Sequence, residues 1–159
     1  MRRAAALCLF ALTPVACAES DDSFDPDALE VRAAKHHNPC PHTIGYWKNH
    51  SAYATKRSQQ IPWPISEDTG GCGITWYEVL HEVPNGGDAW IIVARQYIAA
   101  ALSWGAGAEM PADVYDALGW AGAYLNDCEI DDEEREVALE YAELLDAYNN
   151  SLAGVAACQ

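Results

Sequence analysis

Basic residues are what this chain has least of. Its 159 residues hold nine Lys and Arg against 24 Asp and Glu, a formal net charge of −15. Nucleic acid is excluded as a partner on that ground, because phosphate contacts need clustered Lys and Arg. An anionic membrane surface is disfavoured for the same reason. Long apolar runs are missing as well. The longest, Ala4 to Leu12, is nine residues, well short of the roughly 20 that span a bilayer as a helix. There is no Cys-x-x-Cys, which argues against a compact thiolate metal site. There is no Gly-x-Ser-x-Gly elbow, no second His after His81-Glu82 to make a zinc-protease helix, and no EF-hand spacing. What is present is half hydrophobic, with six cysteines and six tryptophans, enough for one domain with a core of its own.

The ends of the chain divide the cysteines. Arg2 and Arg3 followed by Ala4–Leu12 read as a secretory signal over residues 1–18. Ala16-Cys17-Ala18 suits an ordinary signal peptidase. Val15-Ala16-Cys17 suits lipoprotein cleavage with Cys17 acylated, although Pro14 stands where an aliphatic residue is preferred. Residues 19–39, acidic and then mixed, read as a flexible tether. Its His36 and His37 are adjacent but lack fixed partners for a metal. Either cleavage leaves Cys40, Cys72, Cys128 and Cys158, an even set that in an oxidising compartment forms two disulfides in one of three connectivities.

Residues 40–159 read as an all-α domain: a small disulfide-linked bundle of three main helices plus one or two short helices. Thr43 can cap a short helix through His50, and Thr75 another through His81. Ile61-Pro62-Trp63-Pro64 forbids regular helix. Asp88 opens the most apolar segment, through about Ser103. Its apolar residues cover nearly the whole circumference, so this helix is expected to be central. Pro111 is expected in the first turn of the next helix, where Val114, Leu118, Ala121 and Leu125 repeat and Gly119 and Gly122 allow close approach. Asp131 or Asp132 caps the last helix, with Val137, Tyr141, Leu144, Leu145, Tyr148 and Leu152 as its apolar stripe.

The run Cys40-Pro41-His42-Thr43-Ile44-Gly45-Tyr46-Trp47-Lys48-Asn49-His50 resembles the T-x-G-Y-W-K-N-H signature of secreted bacterial and archaeal surface modules. The resemblance continues through Gly86-Gly87-Asp88-Ala89, Ala94–Ala100 and Leu144–Asn150 to Cys158. Ser51 departs from it, standing where the family usually has Pro, and leaves the end of the first short helix open. The resemblance implies the pairing Cys40–Cys158, hence Cys72–Cys128, and implies no activity, catalytic residue, metal or cofactor.

Two readings attach to the Tyr46–His50 block. In one, Tyr46 and Trp47 anchor the N-terminal segment on the helices while Asn49 and His50 satisfy backbone groups. In the other, Tyr46, Trp47, Lys48, Asn49 and His50, joined by Trp63 between its two prolines, form a surface site for a protein or glycan. Trp63 is expected to be the most exposed tryptophan. The function expected is a non-enzymatic extracytoplasmic binding or structural module, meeting the membrane only through a lipid on Cys17. The alternative is a small hydrolase of an extracellular polymer, with His42, His50 and a carboxylate as its acid–base set. The acidic run Asp127–Glu134 could attract calcium, but reads as the solvated start of a helix.

Overall fold

The computed structural model describes residues 39–66, 72–85 and 87–158. The proposed signal, Cys17 and nearly all of the tether fall outside them. Among the described residues the chain is all-helical: α1 (Ile44–Asn49), α2 (Trp76–His81), α3 (Ala89–Gly105), α4 (Ala112–Asp127) and α5 (Arg135–Asn149), with a single 3-10 turn at Arg57–Gln59.

The helix starts follow local chemistry. Thr43 Oγ1 accepts the Tyr46 N–H at 3.2 Å. Thr75 and Glu78 form a reciprocal capping box: Thr75 Oγ1 accepts the Glu78 N–H at 3.2 Å, and Glu78 Oε2 accepts the Thr75 N–H at 2.8 Å. Those bonds to Thr75 hold the Glu78 carboxyl below its ordinary range. Asp88 Oδ1 caps α3 through the Ile91 N–H at 3.2 Å. Pro111 stands one residue earlier than expected. It is the extended cap of α4, and its carbonyl accepts the Tyr115 N–H at 2.9 Å. Asp131 Oδ1 accepts from both the Glu133 and Glu134 N–H groups at 2.9 Å, opening the turn that leads into α5. That employment as a cap accounts for Asp131 without a cation.

Helix α3 is the axis of the fold. Ala99, Ala100 and Ala101 are consecutive and all buried, so α3 is covered on all sides there. One side meets α4 and α5 through Val93, Ala100, Val114, Ala117, Ala138, Ala142, Leu145 and Tyr148. The other meets α1 and α2 through Ala94, Ile98, Leu102, Trp47, Val79 and Leu80. Small alanines on α3 let both layers come close. Gly122 of α4 does the same work, since a Cβ there would lie 3.2 Å from the Tyr97 ring; Gly119 does not, since its Cβ would meet nothing within 4 Å.

The apolar stripe of α5 is the expected one at its centre, where Leu145 and Tyr148 are buried and Tyr141 and Leu144 pack on the core, and differs at its two ends. Ala138, Ala142, Leu145, Tyr148 and Asn149 are buried, whereas Val137 is 44% and Leu152 76% exposed. Ala138, Ala142 and Asn149 join Leu145 and Tyr148 on the buried face. Burial pushes the Tyr148 phenol up to about 12, so it stays neutral across the physiological range. Asn149 Nδ2 donates to the Gln96 carbonyl at 3.0 Å and to Gln96 Oε1 at 2.9 Å, and Gln96 Nε2 donates to Asp146 Oδ1 at 2.7 Å. This polar lock joins α3 to α5. Arg135 Nη2 holds the turn before α3 through the Gly87 carbonyl at 2.6 Å.

Two disulfides close the domain. Cys40–Cys158 joins its two ends across 118 positions with Cα atoms 5.4 Å apart. Cys72–Cys128 ties the segment before α2 to the end of α4, with Cα atoms 5.3 Å apart. Cys128 ends α4 in the left-handed conformation at φ 61°.

Candidate functional site

The Tyr46–His50 block splits into a buried half and an outward half. Trp47 is wholly buried, so it takes the anchoring role and is unavailable as a surface contact. Its indole Nε1–H donates to Ser103 Oγ at 3.1 Å. The same oxygen accepts the His42 N–H at 3.0 Å and donates to the Ala99 carbonyl at 2.8 Å. A serine hydroxyl has one donor and two acceptor positions, so Ser103 is fully used. This node pins the N-terminal segment to α3. Nothing in the spacing of the sequence announced it; a serine following the apolar run Tyr97–Leu102 was the only sign.

Tyr46 is half-buried and sandwiched. The His42 ring stacks on one side at 3.7 Å between centroids, and His50 on the other at 4.2 Å. Partial burial raises the Tyr46 phenol above its usual value. The phenol ring thus stands between the two imidazoles that the hydrolase reading needs on one reacting atom, and they do not converge. His50 Nδ1 lies 2.9 Å from the Tyr46 carbonyl and donates to it, which leaves that nitrogen no proton-accepting role. Asn49 Nδ2 donates to the Gly45 carbonyl at 2.7 Å. Asn49 is exposed and Lys48 half-buried on the outer side of α1.

His42 is buried against the first disulfide, its Nδ1 3.3 Å from Cys158 Sγ. Cys40, His42 and Cys158 are the one group of three potential metal ligands close together among the described residues. Both sulfurs are spent in the S–S bond, so the group offers no thiolate and is a structural clasp. His81 Nδ1 donates to the Tyr77 carbonyl at 2.8 Å and its ring packs on Tyr77.

Trp63 corrects the exposure expected of it. It is half-buried, packed on the α1–α2 side of α3, and its Nε1–H donates to the His50 carbonyl at 3.0 Å. The flanking prolines keep the strand extended and lay the indole onto the domain. The exposed tryptophans are instead Trp104 (49%) and Trp120 (57%).

The bond from Trp63 to His50 closes one side of a cleft. Ser51, Ala52 and Tyr53 form one wall and Pro62, Trp63, Ile65 and Ser66 the other, around about 230 Å³. Ser51, where the resembled family has Pro, is buried and its Oγ accepts the Tyr53 N–H at 3.2 Å. That turn ends α1 and throws Tyr53 outward, 62% exposed, with its ring 5.0 Å from Tyr77. The cleft therefore offers two aromatic faces, a proline and the exposed Ser66, Ser51 being buried beneath it, and among the described residues its lining holds no carboxylate, imidazole or amine. Of the residues singled out from the sequence, only Trp63 lines it; Tyr46, Lys48, Asn49 and His50 lie on the adjoining helix. No protein-family model, curated protein or solved structure matches this chain.

Proposed function

We propose that this chain is an exported, disulfide-clamped binding module that holds a surface protein or glycan in the Tyr53–Trp63 cleft. The lining of that cleft carries the reading: aromatic and proline faces with the exposed Ser66 hydroxyl suit recognition of an apolar or sugar ring, and among the described residues that lining includes no acid–base pair. Lys48 and Asn49, on the outer side of α1, extend the contact surface. Two disulfides are compatible with an extracytoplasmic setting, as is the fact that no described helix is long and apolar enough to cross a membrane. The likeness of Cys40–His50 to secreted surface modules supports the same setting.

Tyr53 is the side chain to change, because it is exposed and stands outside both core clusters. Saturation-transfer NMR of the mature chain with soluble envelope polysaccharide or detergent-solubilised envelope protein should give contact at Tyr53. Tyr53→Ala should weaken binding about ten-fold, the size expected for a contact residue worth over 1 kcal/mol. Unchanged binding in Tyr53→Ala would remove the cleft from the account. The membrane link is a separate expectation: cells fed a labelled fatty acid should label this protein, and Cys17→Ser should abolish the label. Retained label in that variant would exclude Cys17 as the anchor.

A further inference from the structure

A second surface, on the far side of α3 from the cleft layer, has its own chemistry. Trp120 of α4 is 57% exposed and stacks on Tyr141 of α5, with planes 5° apart and centroids at 6.3 Å. Rings parallel at that distance are offset, so they present a broad aromatic floor between the two helices. Val137, one turn before Tyr141, extends it and is 44% exposed. Large exposed aromatic surface of this kind is uncommon without a binding role.

The rim is acidic. On α4, Asp113, Asp116, Trp120, Tyr124 and Asp127 recur at three- and four-residue spacing and so share one face. Glu134, the N-cap residue of α5, precedes Val137 and Tyr141 at the same spacing. Desolvation first, and then the charge of Glu134, the Tyr141 phenol and the charge of Asp131, raise the Tyr124 phenol. From Ala106 to Gln159 the chain has thirteen Asp and Glu and one basic residue, Arg135. Its guanidinium is engaged by the Gly87 carbonyl. An electron-rich ring face framed by carboxylates attracts a cation by two additive routes, the ring quadrupole and direct charge.

We infer that the α4–α5 face centred on Trp120 and Tyr141 is a docking surface for a Lys- or Arg-bearing polypeptide segment. Each aromatic face receives an alkylammonium or guanidinium group, and Asp113, Asp116 and Glu134 take the neighbouring cations. A polyanion is repelled by the same rim. This inference stands apart from the cleft: either site can fail alone.

The test is calorimetric titration of the mature protein with an arginine decapeptide, beside a Gly-Ser decapeptide and a neutral dextran. The ¹H–¹⁵N indole signal of Trp120 is followed in parallel. The arginine peptide is expected to bind and to shift that signal, and the two neutral probes to do neither. Trp120→Ala removes no charge, yet should raise Kd about five-fold, and the Trp120→Ala/Tyr141→Ala pair about ten-fold, as cation–π contacts of exposed rings require. Trp120→Phe keeps a ring and should recover part of the loss, which separates ring chemistry from misfolding. An unchanged Kd in Trp120→Ala would show diffuse charge attraction alone and overturn the inference. So would a Trp120 shift produced by dextran in place of the peptide, or no binding of the peptide at all.

Discussion

Replacing Cys40 and Cys158 together by serine should lower unfolding stability by about 4–5 kcal/mol, with Cys72–Cys128 left intact. The loop closed spans 118 positions, and in the chain-entropy model loops of that size restrict the unfolded ensemble most. For a domain of this length the midpoint of thermal unfolding should fall on the order of 15 °C. The structural consequence is local first. Cys158 Sγ lies against the His42 imidazole, and His42 stacks on Tyr46. Freeing the tail therefore loosens the segment before α1 and removes one support of the Tyr46 ring. Denaturant melts of the wild type, the double serine variant and the reduced wild type measure it. A loss under 1 kcal/mol would mean that the clasp contributes little to the fold. The shorter Cys72–Cys128 loop, 56 positions, should matter slightly less by the same argument.

Ser103→Ala should cost about 2–4 kcal/mol, far more than the removal of one oxygen suggests. The substitution removes the hydroxyl that accepts both the Trp47 indole N–H and the His42 backbone N–H, in buried positions. Losing the acceptor of a buried hydrogen bond costs roughly 1–3 kcal/mol. The released Ala99 carbonyl keeps its helical bond and adds little. A double-mutant cycle with Trp47→Phe isolates the indole bond: Phe lacks the N–H, so Ser103→Ala should be about 1 kcal/mol milder in that background. Equal costs in both backgrounds would show that the indole–hydroxyl bond is not the source.

The architecture was largely legible in the sequence because its signals were local. Caps at Thr43, Thr75 and Asp88, breaks at Pro62 and Pro64, and an apolar segment without a polar face predict the helices where they lie. The resemblance supplied the disulfide pairing, which spacing alone left open. What escaped was tertiary. On α5 the pattern picked out Leu145 and Tyr148 but not the buried Ala138, Ala142 and Asn149, which hydrophobicity alone does not mark. The same held for the tryptophans. Trp63 is covered because its proline-flanked strand folds back onto His50, and Trp104 and Trp120 are uncovered although they sit in helices. The Ser103 node joins residues 56 and 61 positions apart. The cleft needed the turn at Ser51, which appeared in the sequence only as a departure from a resembled pattern.

The central claim is that the Tyr53–Trp63 cleft binds and does not cut. One measurement addresses both halves: the mature chain is incubated with soluble envelope polysaccharide or protein while the ¹H–¹⁵N indole signal of Trp63 and the size of the polymer are followed together. The account predicts a saturable shift of the Trp63 signal, lost in Tyr53→Ala, with the polymer unchanged in length. Shortened polymer, or binding that leaves the Trp63 signal where it was, would contradict it.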